Sequence, residues 1–376
     1  MLRFNRPAFT GKEVAYIEEA IRSGHLAGDG TFSKRCQETL KQEFGFREVF
    51  LTPSCTAAME MTTLLCDLHE GDEVVLPSFS HVGVANALVR SGAKLVFADS
   101  LPSHPNVDPE SVAAAVGPKT RAVVAIHYAG MACNLPRLKE IAKTRELALI
   151  EDAAHALGAY HGDRSLGSWG DFAVVSFHET KNINCGLGGM LILNRSDLSD
   201  QAMSIWHQGT NRPAFERGET PFYTWVRTGG SFQLSELNAA FLYPQLLNLE
   251  EITSRRLNLW QLYYDRLKPL EARGHFRLPV VPENARHNGH IFYLLLESNS
   301  LRNQLIRYLH DSGFQAVFHY MPLHQTPLVS QNGRELQLPN CERIADTIVR
   351  LPLFDGLSAE SVIKITDAIE NWQKEF

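Results

Sequence analysis

The chain lacks the features that mark secreted, metal-binding, membrane-spanning or nucleic-acid-binding proteins. Its six cysteines (36, 55, 66, 133, 185 and 341) include no Cys-x-x-Cys pair. That scatter excludes a zinc ribbon or a disulfide scaffold, so no metal is expected, and it fits free thiols in a reducing compartment. Positive charge is not in excess. The 36 Lys and Arg stand against 42 Asp and Glu, a formal charge of -6, with no basic stripe for DNA or RNA. Long apolar runs are missing as well: Ala122–Ile126 and Met190–Leu193 fall far short of a membrane span. The opening Met1-Leu-Arg-Phe-Asn-Arg-Pro has no apolar signal-peptide core behind its charges, and a cytoplasmic location is expected. Nucleotide fingerprints fail too. Gly186-Leu-Gly188-Gly189-Met-Leu191 ends in Leu where a dinucleotide motif needs Gly and leads into a strand, and no Walker A sequence occurs. Gly28-Asp-Gly30 reads as a turn, and no internal repeat or low-complexity tract appears.

What remains is a chain of 376 residues, 44% hydrophobic, long enough for one large domain with a smaller one attached. From about residue 48 to 193, short β-branched runs alternate with helical patterns. Glu73–Leu76, Lys94–Ala98, Arg121–His127, Ala148–Glu151, Phe172–Phe177 and Gly189–Leu193 read as buried strands. Ser54–Leu68, Val82–Arg90 and Asn134–Glu146 read as helices, the last with Leu135, Leu138, Ile141 and Ala142 on one face. Such alternation predicts an α/β fold with a mostly parallel sheet covered on both sides. A long helical stretch, Ser235–Leu267, leads away from the sheet, and Pro269, Gly274, Pro279 and Pro282 punctuate a break. Beyond it, Ile291–Leu296, Leu301–Asp311 and Gln315–His319 suggest a small α+β unit. The expected division is therefore a large domain over residues 1–267 and a small one over 268–376. The apolar stripe Val362, Ile365, Ile369 and Trp372 reads as core.

Four segments carry candidate chemistry. In Leu51-Thr-Pro-Ser54-Cys55-Thr56 a strand ends and a helix begins. Exposed N–H groups and hydroxyls there suit a phosphate, although Ser54 as a plain N-cap explains the same residues. In Leu149-Ile-Glu151-Asp152-Ala-Ala-His155, carboxylates sit at a strand's C-terminal end, where ligands collect in open α/β sheets. A local polar network is the other reading. In Val174-Val-Ser176-Phe177-His178-Glu179-Thr180-Lys181-Asn182, a buried strand runs into a polar loop holding one of only 11 lysines. The fourth, His319-Tyr320-Met-Pro-Leu-His324, is either a site loop or a loop with surface imidazoles.

Together these parts match the needs of pyridoxal phosphate: a lysine for a Schiff base, a carboxylate facing the ring nitrogen, a phosphate cup, and something flat against the ring. Asp152 would keep the ring nitrogen protonated, and Lys181 would hold the cofactor and then shuttle a proton. Ser54, Cys55, Thr56 and Ser176 would contact the phosphate. Glycines 186–189 would let the backbone pass close to the cofactor.

The sequence resembles the DegT/StrS family of sugar aminotransferases, of aspartate-aminotransferase-like fold type I. The family's motifs stand here as Pro77-Ser-Phe-Ser, Glu151–His155 and Ser176–Asn182, and the likeness runs from about Phe4 through Gly24–Gly30 to Leu351-Pro-Leu-Phe354. It is greatest to the dTDP-4-amino-4,6-dideoxygalactose transaminases, through Leu51–Ala57, His127–Gly130, Ser176–Asn182, Gly209–Arg212 and Ala316–His324. The resemblance implies pyridoxal 5'-phosphate as cofactor, Lys181 as the Schiff-base lysine and Asp152 as the acid on the ring nitrogen. It places His155 near the phenolic oxygen, Ser54, Cys55, Thr56 and Ser176 on the phosphate, and His319, Tyr320 and His324 near the sugar. It also implies amino transfer from L-glutamate to a keto carbon of a dTDP-linked 6-deoxyhexose, for surface polysaccharide, by a homodimer with shared sites. Two positions depart from the family pattern. His81 stands where many members stack an aromatic ring on the cofactor, its other reading being a solvent-facing loop residue. Gly229-Gly230-Ser231-Phe232-Gln233 replaces a Gly-Tyr-Asn-Tyr-Arg segment, leaving Ser231 to reach the neighbouring phosphate. Amination at C3, or a relative that binds the cofactor as a sensor without turnover, are the alternative readings; Lys181 argues against a sugar dehydratase, where histidine replaces it.

Overall fold

The computed structural model describes residues 1–330 and 336–375. Two helices, α1 (Glu13–Ser23) and α2 (Thr31–Phe44), precede the first strand, β1 (Glu48–Thr52). The predicted alternation follows: α3 (Cys55–Leu65), β2 (Glu73–Pro77), α4 (Val82–Arg90), β3 (Lys94–Ala98) and β4 (Thr120–Ile126). Then come α5 (Leu135–Thr144), β5 (Ala148–Asp152), β6 (Phe172–Ser176) and β7 (Gly189–Leu193). The seven strands form one sheet in the order β1-β7-β6-β5-β4-β2-β3. Every pairing from β6 to β3 is parallel, whereas β7 runs antiparallel to both β1 and β6. This is the mixed, mostly parallel sheet of fold type I.

Strand periodicity divides the core between the two faces. Phe172 and Val174 join Phe50, Met59 and Leu88 on one side, while Ala173 and Val175 join Phe32, Leu40 and Ile192 on the other. Beside them, Leu138 and Ile141 of α5 cover Val123 and Leu149. Side-chain caps fix where helices start: Ser54 accepts from the Ala57 N–H and Asn134 from the Arg137 N–H. The N-cap of α2 is Gly30, which has no side chain to give. Buried Glu236 substitutes for it, accepting from the N–H groups of Gly30 (3.1 Å), Phe32 (2.7 Å) and Ser33 (3.0 Å).

The long helix expected over Ser235–Leu267 is two helices, α6 (Glu236–Leu246) and α7 (Leu249–Glu271). Pro244 lies inside α6, and the Asn248 side chain donates to its carbonyl at 2.7 Å in the turn between the two helices. A three-stranded antiparallel sheet then forms from β8 (Phe276–Arg277), β9 (Phe292–Leu296) and β10 (Ile348–Leu351), in that order. It is packed by α8 (Asn299–Asp311), α9 (Pro339–Thr347) and α10 (Ala359–Gln373). Its core takes Trp260, Tyr263 and Leu267 from α7, together with Phe292, Val349 and the α10 stripe Val362, Ile365, Ile369 and Trp372. The expected division after residue 267 therefore falls inside one continuous helix. Gln315–His319 is no strand. It touches β10 through a single bridge, Val317 with Arg350, before turning away.

Candidate active site

A cavity of about 380 Å³ opens at the C-terminal ends of β5 and β6, walled by the start of α3 and by the segment around His319. Parallel pairing sets its floor. Asp152 ends β5 beside Val174 of β6 and Ile126 of β4, so its side chain emerges where the strands stop. The two adjacent carboxylates of the Glu151-Asp152 pair part company, because successive strand residues face opposite sides. Glu151 is fully buried and accepts from His127 Nε2 (2.9 Å) and from the N–H groups of Gly167, Trp169 and Gly170 (2.9, 2.7 and 2.7 Å). Burial pushes its pKa up, but those donors hold it below the ordinary value. Asp152 faces the cavity. Its Oδ1 accepts from the Ala154 N–H at 3.0 Å, which leaves Oδ2 for a ligand, and burial raises its pKa against the pull of that N–H and of Lys181.

Lys181 lines the same cavity from the loop after β6, held in a turn by its N–H to the His178 carbonyl at 2.9 Å. Burial lowers its pKa to about 8, with Cys55 and Asp152 pulling it back upward. An ammonium is disfavoured there, so the amine is a usable nucleophile near neutral pH. Opposite it, Ser54, Cys55 and Thr56 present the first turn of α3, and Ser176 closes the rim. Both readings of Ser54 hold at once, since it caps α3 and lines the cavity. Of the glycines expected to pass close to the cofactor, Gly188 lines the cavity; a Cβ on Gly189 would lie 2.4 Å from the Cys55 nitrogen, so that glycine clears the α3 start, and Gly186 has φ 77.

His155 is buried beside His290, their rings 4.5 Å apart. Burial and the nearby Lys181 push its pKa well down, keeping the imidazole neutral, and its Nδ1 is sealed from solvent with no partner among the described residues. His81 lines the cavity as the N-cap of α4, with Nδ1 accepting from the Gly83 N–H at 3.0 Å. That bond places any ring proton on Nε2, and burial lowers the pKa in the same direction. From the C-terminal part, His319 and Tyr320 stack on each other at 4.1 Å and line the cavity. His324 does not line it: its ring lies buried between Ser78 Oγ (2.7 Å from Nδ1) and Glu342 (3.1 Å from Nε2). Ser231 is exposed, bridged to His207, and outside its own chain's cavity. Sequence reading missed Arg350, His290 and His178, which also line the cavity. Arg350 had one signal, a lone charge in the apolar run Ile348-Val-Arg-Leu351.

These residues fit pyridoxal phosphate. The fit rests on an orphaned buried imidazole nitrogen, an amine of lowered pKa, a carboxylate with one free oxygen, and a helix start that suits a dianion. The protein is a pyridoxal-phosphate-dependent aminotransferase. Residues 7–370 match the DegT/DnrJ/EryC1/StrS aminotransferase family, and the chain belongs to it. It is similar to the aminotransferase TlmJ from Streptoalloteichus hindustanus, with 29% identity over 100% of this chain and 99% of that one, at a TM-score of 0.91. A family aminotransferase from Brucella abortus is 25% identical over 96% and 95% of the chains, at 0.87. In fold alone, the PMP form of a putative sugar aminotransferase from Streptococcus pneumoniae is also similar, at 21% identity over 98% of each chain and a TM-score of 0.91. Among the described residues, no helix is long and apolar enough to cross a membrane.

The lowered pKa of Lys181 has a measurable consequence. Only the neutral amine captures the cofactor's aldehyde, so uptake of pyridoxal phosphate by the cofactor-free protein should speed up with pH. The rate should fall about tenfold per unit below the transition and level off above a pH of about 8. Absorbance after mixing reads this directly, and a transition near the 10.5 of an ordinary lysine would contradict it.

Proposed function

We propose that the chain transfers the amino group of L-glutamate to the C4 keto carbon of a dTDP-linked 4-keto-6-deoxyhexose. The product is a dTDP-4-amino-4,6-dideoxyhexose, galacto or gluco, destined for surface polysaccharide. The observation that carries the reading is the meeting of Lys181 and Asp152 in one cavity whose far wall is His319 and Tyr320. The first pair supports amino transfer. Two neutral rings with polar edges suit the hydroxyl groups of a sugar, and the likeness of the Ala316–His324 loop to that of the C4 sugar transaminases supports the particular substrate.

Bound pyridoxal phosphate supplies an electron sink for the carbon that loses or gains a proton. The side chains do the rest. Asp152, through Oδ2, would keep a proton on the ring nitrogen and so maintain the sink. His155, with its Nδ1 unpartnered among the described residues, would meet the phenolic oxygen. Ser54, Thr56 and Ser176 hold the phosphate with the first N–H groups of α3. His81, on the cavity wall, would supply the flat face against the ring. Lys181 Nζ takes the proton from the α-carbon of glutamate in the first half-reaction and delivers one to the sugar carbon that keeps the amine in the second.

The same reading includes a homodimer in which Ser231 of each chain serves the other's cofactor. Ser231 lies outside its own cavity, and the nearby Phe222 and Trp225 are 73% and 74% exposed, an apolar surface that a second chain would cover.

Incubation with L-glutamate and the dTDP-4-keto sugar, followed by NMR of the product, tests the reading. The amine is expected on C4; an amine on C3, or binding without turnover, would overturn it. Asp152→Asn should lower kcat on the order of 10²–10³-fold, because a neutral amide does not hold the ring proton. Near-normal turnover would mean that Asp152 faces elsewhere.

His81 is tested by a pair of variants. Both His81→Phe and His81→Ala remove the acceptor for the Gly83 N–H, so the difference between them reads stacking alone. The phenylalanine variant should keep its cofactor on dialysis, whereas the alanine variant should bind it about two- to tenfold more weakly. Equal retention would show that His81 does not stack.

A further inference from the structure

His324 shares a motif with His319 and Tyr320 but does not reach the cavity, and its surroundings show what it holds instead. Pro77 and Ala98 are partners at the ends of the parallel strands β2 and β3, so the next residues, Ser78 and Asp99, leave the sheet side by side. Both grip the C-terminal unit. Asp99 accepts from the N–H groups of Asn340 (3.2 Å) and Cys341 (2.8 Å) and from the Asn340 side chain (3.2 Å), which fixes the first turn of α9. Ser78 accepts from the Leu323 N–H through its carbonyl (3.0 Å) and from the His324 N–H through Oγ (3.1 Å).

The His324 ring spans the two attachments. Its Nδ1 lies 2.7 Å from Ser78 Oγ, and its Nε2 lies 3.1 Å from Oε1 of Glu342, in the first turn of α9. Glu342 also accepts from the Leu338 N–H at 2.9 Å, and that donor, with His324, holds its carboxyl below the ordinary value. A carboxylate only accepts, so Nε2 carries the ring proton. The neutral ring then leaves Nδ1 bare, and the Ser78 hydroxyl donates to it. Serine, histidine and carboxylate in this order make a nucleophile in other settings; here Ser78 is fully buried and lies outside the cavity, so no substrate meets it. The two loops joined by this chain carry groups that wall the cavity. His81 follows Ser78 by three residues, and the Tyr320 ring lies 6.1 Å from that of His81 and 5.4 Å from that of Phe79. At its near end the loop is paired to β10 through Val317 and Arg350; at its far end it is held through Ser78 and Glu342.

We propose that His324 is a positioning residue for the substrate wall: by joining Ser78 to Glu342 it registers His319 and Tyr320 against the end of the sheet, and so governs how the sugar is held without touching it. The assignment rests on the reading above of a transaminase with a sugar acceptor, not on C4 or on the nucleotide. Cofactor retention is separate, because His81 keeps its own place as the N-cap of α4. The keto sugar, which meets the wall through its hydroxyl groups, is the substrate that feels a displaced loop.

Ser78→Ala and Glu342→Ala each leave the imidazole in place and remove one of its partners. Single turnovers of the holoenzyme with glutamate, and of the enzyme so charged with the keto sugar, separate the two half-reactions. In each variant kcat/KM for the keto sugar should fall about tenfold, while the glutamate half-reaction stays within about twofold and the cofactor survives dialysis. The double variant should be little worse than the worse single one, because both changes break one chain. Glu342→Gln keeps an acceptor for Nε2 and should recover most of the loss. The Glu342 side chain is partly exposed, so its two variants carry the test if Ser78→Ala fails to fold. Near-normal sugar kinetics in the alanine variants overturns the assignment. So does an equal fall in both half-reactions that follows a lowered melting temperature, the mark of a merely structural bond. If the wild-type enzyme accepts no keto sugar, the proposed function falls first. Hydrogen exchange at the Leu323 and His324 amides then decides whether this chain fixes the loop: faster exchange in Ser78→Ala upholds it, and unchanged exchange overturns it.

Discussion

The site depends on holding an amine and a carboxylate in one cavity of low dielectric without letting them neutralise each other. Burial pushes each toward its uncharged form, lowering the pKa of Lys181 to about 8 and raising that of Asp152. Their mutual attraction opposes both shifts. No hydrogen bond joins them in the structure; Asp152 spends one oxygen on the Ala154 N–H, and Lys181 is held through its backbone. The pair is thus poised for a third group between them rather than collapsed into a salt bridge. A buried pair that closed on itself would stabilise the fold and have nothing left for a ligand.

The large sheet exists, functionally, to keep that spacing. Asp152 and Ser176 end neighbouring parallel strands, so their separation is fixed by the ladder and not by loop conformation. Glu151 locks the next layer, taking His127 and three backbone N–H groups, and so pins the loop from Gly167 to Gly170 behind β5. Gly189 lets β7 approach the start of α3 closely enough to set the cup against the cavity, where any side chain would collide with Cys55. The C-terminal unit closes the far side: its Val317–Arg350 bridge brings His319, Tyr320 and Arg350 together, and its Tyr293, Leu323 and Ile344 share a core with Phe79 and Tyr128 of the large domain.

Much of this could be read from residues alone. The strands and helices of the α/β part show because apolar runs bounded by caps and turns have one sensible period, and Lys181 stands out as a lysine where a buried strand turns polar. What escaped has physical causes. His319 and His324 share a motif, but a turn at Pro322 carries His324 back under Ser78, so spacing alone puts both in the site when only one arrives. The turn at Leu247 and Asn248 separates α6 from α7 although the apolar pattern continues across it. Arg350 shows in the sequence only as a lone charge in an apolar run, because its place at the cavity comes from pairing with Val317, a residue distant in sequence.

The claim on which everything else rests is that Lys181, and no other lysine, holds the cofactor. Borohydride reduction of the protein carrying pyridoxal phosphate, followed by proteolysis and mass mapping, reads that attachment directly. The phosphopyridoxyl label is expected on the peptide containing Lys181 alone, and on none in the Lys181→Ala variant. A label on any other lysine, or one that survives in the alanine variant, would contradict the account.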